Sequence, residues 1–509
     1  MTTPNNSGQI AVEAIAMDII GSVPVSTIGN ITSPGRDVKQ TDPFLVAFNE
    51  PYDADNPKDW TNKRKWAVTD VLSATGFNRI LVSTIMAPAL STIAKELNMS
   101  ATESALSLSI YLLATAFGPL FIGPLSEIYG RQVVLHASNI WFLIWNLACA
   151  FANTKELLIG SRFLAGFGAS AIYALGGGVL GDIWRPEERG RSLGSYLLIP
   201  VLGAAVGPIL GGFIAEYTTW RWIFWSTSIF QAVMIAVSFD VFRETFGPLI
   251  LMRRAARLRK ETGNQQYYTE YEHQIKDQSV LQVVGRALSR PLRMLIFHPL
   301  VQITAVISAF SYGTLYIVLS SFANLWSSYY HQPLAISGLH YIACALGELV
   351  GSQVCGRLMD VLFRRMKSRS SNGEHLPEFR IPLTLPGAII APIGLFIWGW
   401  TAQYRVHWIA VDIGIFVNLF GSQVTDIVLA AYVIDAYPEH TSSAIAATRF
   451  LESLAAFLFP LFAPSLYRSL GYGWGNSTIA FISLALALPA PFIIWAYGAR
   501  LRKRAASTY

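Results

Sequence analysis

Six charged side chains interrupt sequence that is otherwise apolar: Arg79, Arg162, Glu348, Asp426, Arg449 and Glu452. At the centre of a bilayer such a residue costs roughly 2.5–3.5 kcal/mol, so it must face a partner or a wet cavity. A carboxylate there has its pKa raised by lost hydration and lowered by a nearby arginine. The balance can poise it for proton exchange. Arginine itself keeps its proton and can only tune such a carboxylate. Arg449 and Glu452 are three residues apart and can pair on a helix. At four-residue spacing, Glu348 shares a helical face with Cys344 and Ser352, and Arg79 shares one with Thr75 and Ser83. The chemistry these residues point to is reversible protonation at Glu452 or Glu348, partnered by Arg79, Arg162 or Arg449. Glu452 is favoured because Arg449 lies one turn away, and Asp426 comes next. A purely structural Arg449–Glu452 pair is the alternative, as is an Arg162 that snorkels to the surface.

Membrane helices must position these groups. The chain of 509 residues is 52% hydrophobic and 14% charged, with a mean hydropathy of +0.40, which places it in the membrane class. Twelve apolar runs start near Trp66, Glu103, Val133, Leu157, Leu193 and Trp222, then near Pro299, Ser337, Pro382, His407, Ser442 and Trp474. The expected fold is all-α, with twelve spans in two pseudo-symmetric six-helix bundles at residues 66–242 and 297–498. Residues 1–65 lack a basic region followed by an apolar core, so they read as a disordered cytoplasmic arm and not a signal peptide. Residues 243–296, with Arg253, Arg254, Arg257, Arg259 and Lys260, read as a basic cytoplasmic linker, and 499–509 as a cytoplasmic tail.

The net charge of +6 sits in loops beside apolar runs, which points to a cytoplasmic membrane face and away from nucleic acid. Cys149, Cys344 and Cys355 are odd in number and lie within apolar segments, so neither a disulfide framework nor a metal site is expected. No phosphate-binding loop or nucleophile elbow appears, so no enzymatic activity or cofactor is expected. Asn98 and Asn476 open glycosylation patterns on the expected outer side.

Gly203, Gly207, Pro208, Gly211 and Gly212 fall within ten residues of the fifth run. Small residues let membrane helices touch, and a proline inside one is tolerated when neighbours re-satisfy the backbone. This describes a bent helix with a bare face, and Gly207 and Pro208 are expected to pack against the opposite half. The run resembles the antiporter motif of the major facilitator superfamily. Gly123, Glu127, Gly130 and Arg131 resemble that superfamily's loop between the second and third spans, and Gly356, Asp360 and Arg364 repeat it in the second half. Departures are Glu127 for an aspartate, an apolar Ile128 and Gln132 for a basic residue. Arg162 and Gly166 resemble its fourth-span motif. Pro57 to Trp60, Glu244 to Pro248, Arg257 to Lys260, Pro377 to Arg380 and Tyr432 to Pro438 further resemble elements of the fungal twelve-span drug:proton antiporters.

That resemblance implies a gate in which Glu127 reaches Arg131, and alternating access to a cavity between the halves. Tyr111, Tyr173, Phe310, Tyr312 and Tyr316 are candidates to line the cavity. The function implied is proton-coupled export of a hydrophobic or amphiphilic small molecule, from a plasma, vacuolar or vesicular membrane, by a monomer. A symporter importing a nutrient on the same fold, and a non-transporting membrane sensor, are the alternatives.

Overall fold

The computed structural model describes residues 42–272, 280–369, 376–437 and 441–506. Among the described residues ten helical segments are long and apolar enough to cross a membrane, beside a shorter apolar helix, Leu202–Tyr217. They begin with Asn62–Glu96, Ala101–Tyr129, Arg131–Ala150 and Lys155–Ile183, here the first to fourth spans. The fifth is Pro186–Tyr217, whose apolar part starts at Leu202, and the sixth is Arg221–Val241. Pro299–Tyr329, Leu334–Met359, Pro377–Gln403 and Trp408–Ala436 are the seventh to tenth. The final stretch, Ser443–Arg502, is too long for one crossing and breaks at Gly471, where φ is +69°. A side chain there would be strained and would meet Gln403 Oε1, so the eleventh and twelfth spans separate at that glycine.

The second span starts with a capping box, Ser100 Oγ accepting from Glu103 N–H and the Glu103 carboxylate accepting from Ser100 N–H. Packing repeats between the halves. The first span lies on the fifth, the second on the fourth, and the third on the fourth and sixth. Six spans later the seventh lies on the eleventh, the eighth on the tenth, and the ninth on the tenth and twelfth. The halves meet where the second span packs on the eleventh, Phe117 against Phe450, and where the fifth packs on the eighth. Apolar side chains such as Ile144, Phe151, Val233 and Phe481 remain exposed, as expected of a surface facing acyl chains.

One end of the bundle carries Arg131, Arg185 and Arg254 and is called the basic end below; the other is the far end. The expected disordered arm is corrected from Asp42 onward, while residues 1–41 lie outside the described residues. Val46 N–H donates to Tyr268 O, and Val46 and Phe48 pack with Leu251 and Ala255. The expected linker is described for 243–272 and 280–296. It contains helix Gly247–Thr262, which receives this strap, and helix Val280–Phe297.

Candidate functional site

A cavity of about 460 Å³ lies between the halves. Its second-half wall carries Glu348, Asp426, Arg449 and Glu452, four of the six intramembrane charges. Arg449 Nη1 lies 2.7 Å from Glu452 Oε2, realising the i,i+3 pair, and Glu452 is 5% exposed. Glu348 makes no ion pair within 4.0 Å among the described residues. Tyr173, Tyr312 and Tyr316 join the lining, and Tyr316 is in hydrogen-bonding reach of Ser83 and Tyr312.

Arg79 and Arg162 do not reach these carboxylates, and the expected pairing is corrected for both. The fourth span breaks at Ser170, which opens the last carbonyls of helix Lys155–Ala169 to donors from other spans. Arg79 Nη1 donates to two of them, Gly168 O at 3.1 Å and Ala169 O at 3.2 Å, and Nη2 donates to Asn139 Oδ1. The negative end of that helix takes the place of a carboxylate. Arg162 is fully buried and does not snorkel; it donates to the carbonyls of Ser107, Val82 and Leu108. Its guanidinium sits 4.6 Å from the Tyr111 ring centroid, and the Tyr111 hydroxyl donates to Arg79 O. Tyr111 therefore supports the two arginines and does not line the cavity. Phe310 is also outside it, packed edge-on against Phe459 at 5.5 Å.

The glycine face divides by partner. A Cβ on Gly203, Gly207 or Gly211 would strike the first span, at Phe77 O, Thr84 Oγ1 and Ile85 O respectively. These three, four residues apart, pack within their own half, which corrects the expectation for Gly207. Gly212 faces the other half: its Cβ would lie 2.7 Å from Leu334 O, and one on Gly338 would lie 2.9 Å from Pro208 O. Leu334 N–H also donates to Glu216 at 2.8 Å, so the halves are closed together at the far end.

At the basic end Arg131 is buried, but Glu127 is not its partner. Arg131 Nε lies 3.4 Å from Asp182 Oδ2, Nη1 donates to Ser126 Oγ, and its backbone N–H donates to Glu244 Oε1 at 2.9 Å. Gly130 has φ of +99°, and a Cβ there would lie 2.1 Å from Glu244 Oε2, so only glycine admits this contact. Asp182 was invisible to motif reading because it enters from the fourth span. Gly123 is buried within the second span, and Gly356 within helix Tyr341–Arg369. The side chains of Asp360 and Arg364 lie outside the described residues. The second half instead shows Arg380 Nε 2.7 Å from Asp435 Oδ2, and Arg502 on Glu378.

Asn476 is corrected as a glycosylation candidate: it is fully buried, and its Oδ1 accepts from the Tyr467 hydroxyl. Asn98 is exposed, in a turn with φ of 51°. The three cysteines are buried and unbridged.

Residues 72–460 match the Major Facilitator Superfamily. A protein described as probable efflux pump mfs2, from Aspergillus flavus, is 54% identical over 84% of this chain and all of its own length. Efflux pump vrtL of Penicillium aethiopicum is 42% identical over 92% of this chain and 93% of its own. An uncharacterized transporter of Schizosaccharomyces pombe is 42% identical over 92% and 94%. Among solved structures, a D-xylose-proton symporter aligns with a TM-score of 0.64 at 16% identity, over 84% of this chain and 97% of that one. A bacterial homologue of the lysosomal transporter Spinster aligns with a TM-score of 0.60 at 12% identity, over 87% and 99%. At these identities the likeness is one of fold.

Proposed function

The chain belongs to the major facilitator superfamily, and from that premise we propose that it is a proton-coupled exporter of hydrophobic or amphiphilic small molecules. The observation that carries this reading is the cavity between the halves, where apolar and tyrosine side chains surround Glu348, Asp426 and the Arg449–Glu452 pair. A mostly apolar pocket with a few placed polar groups suits an amphiphile. The efflux pumps among the relatives support the direction. The basic end is cytoplasmic by its loop charges, and the protein works as a monomer in the plasma membrane.

Glu348 is the better coupling site under this reading. The neighbouring Arg449 that recommended Glu452 is already engaged with it in an ion pair, whereas Glu348 faces the cavity with no ion pair among the described residues. Cargo binds from the cytoplasm, the far end opens, and a proton taken up at Glu348 drives release and return. By linkage, protonation must change cargo affinity and cargo must change proton affinity.

Purified protein in vesicles with an imposed pH gradient tests this. A fluorescent amphiphile such as rhodamine 6G should accumulate against its concentration only when the gradient is present. Accumulation driven in the same direction as proton flow would support a symporter, and none at all would leave a non-transporting protein.

A further inference from the structure

We propose that His340, held between Asp412 and Gln332, is a second proton-binding site of the transport cycle, and that its protonation fastens the far end shut. His340 Nδ1 lies 2.7 Å from Asp412 Oδ2, and Nε2 lies 2.6 Å from Gln332 Oε1. Both contacts are to acceptor oxygens, and an imidazole can donate from both nitrogens only when protonated. Two further features favour that cation. The ring stacks on Trp326 at 3.7 Å, a face that attracts positive charge. Asp412 Oδ1 is shielded from solvent with no hydrogen bond among the described residues, so its carboxylate needs a countercharge.

The position gives the proton a consequence. Gln332 lies in the loop that feeds helix Leu334–Leu339, and His340 is the residue that ends this helix. The same helix contacts Gly212 and Pro208 of the first half, and its Leu334 N–H binds Glu216. The imidazolium therefore ties the closing segment to the tenth span through Asp412. Among the titratable or charged groups around it are His331, next to Gln332, and His407, which caps the tenth span and packs on Trp408. Tyr330 comes from the seventh-to-eighth connection, and Arg405 sits over Tyr329 from the ninth-to-tenth connection. Trp408 contributes only its ring edge. Within the eighth span, Cys344 is one turn on, and Glu348 lies a further turn into the cavity. Losing the proton removes one of the two hydrogen bonds and the ion pair, which releases the loop.

The direction of this effect rests on the exporter reading. An acidic far side would protonate His340 after cargo leaves and draw the halves closed for the return. The test needs neither cargo nor gradient, so its failure leaves that reading standing. Tyr217 and Tyr404 are 76% and 73% exposed on opposite halves at the far end, and the native cysteines are buried. Spin labels at Tyr217→Cys and Tyr404→Cys, in nanodiscs with the same pH on both faces, report the far-end distance. Between about pH 5.5 and about pH 8.5 the open-to-closed ratio should rise about tenfold or more, since one proton can shift it by up to about tenfold per pH unit. His340→Gln and Asp412→Asn should each reduce that swing to under about twofold. A swing of wild-type size in both variants, or no swing in the unsubstituted protein, would overturn the proposal. Gradient-driven uptake of rhodamine 6G, measured separately, decides the exporter reading.

Discussion

Arg449 Nη1 lies 2.7 Å from Glu452 Oε2, one turn along the same helix and on the wall of the shared cavity. This pair separates two roles that depth alone made equivalent. Glu452→Gln should remove the partner of a partly buried guanidinium and cost up to about 3 kcal/mol, the low end for a buried pair. Folded yield and melting temperature should fall, while the surviving protein stays coupled to protons. Glu348→Gln should behave in the opposite way: full yield, cargo affinity within about threefold of the parent, and no pH dependence of binding or uphill export. Tryptophan-quenching titrations across pH, run beside the vesicle assay, tell the two apart. If Glu452→Gln alone abolishes the pH dependence, the assignment is reversed.

The fifth span makes a second separation possible. Gly203→Leu would drive side-chain bulk into Phe77 and Leu81 of the same half, and overpacking of that kind costs typically 1–3 kcal/mol. Its signature is a lower melting temperature with the far-end distance unchanged. Gly212→Leu would instead collide with Leu334 and Gly338 across the halves. The expected result is normal expression, a wider far end and loss of export. A Gly212→Leu protein that exports at the parent rate would show that this contact is dispensable.

The spans were legible because each needs a long apolar run, and the internal repeat of loop motifs announced two halves. What satisfies the buried arginines was not legible. Arg79 and Arg162 look as if they need carboxylates, yet backbone carbonyls serve both: Arg162 takes those of the first and second spans, and Arg79 those at a break at Ser170 that has no proline to mark it. Asn476 carries an acceptable glycosylation pattern, and only the approach of Gly399 and Tyr467 reveals its burial. His340 and Asp412 are 72 residues apart, and neither belongs to a motif. A signal existed all the same: His340 extends by one turn the face that holds Cys344, Glu348 and Ser352.

At the basic end, Arg131 makes its ion pair with Asp182, and Glu127 acts on it only from beyond contact distance. Asp182→Asn should therefore free the Arg131 side chain and alter the distance between the halves at this end. Glu127→Gln should leave that distance unchanged. Labels at exposed Tyr129 and Arg365, one on each half, can follow both variants. Equal shifts from the two substitutions would restore Glu127 to the gate.

The strap offers a prediction with a definite sign in pH. Asp53 is buried, which raises its pKa, but hydrogen bonds from Arg254 and from the backbone N–H groups of Asn49 and Asp55 outweigh this and bring it down to about 2. A carboxylate whose pKa is depressed on docking adds stability that is complete above its ordinary value of 3.8 and is lost as pH falls through about 2. The contribution is on the order of 2 kcal/mol. Hydrogen-exchange protection of residues 45–60 should thus be flat from about pH 8 to about pH 5, after correction for intrinsic rates, and decline only below about pH 4. Asp53→Asn should lose most of that protection at every pH, because it cannot balance the Arg254 charge. Protection that instead fell between about pH 7 and about pH 5 would assign the strap's hold to a histidine and not to Asp53.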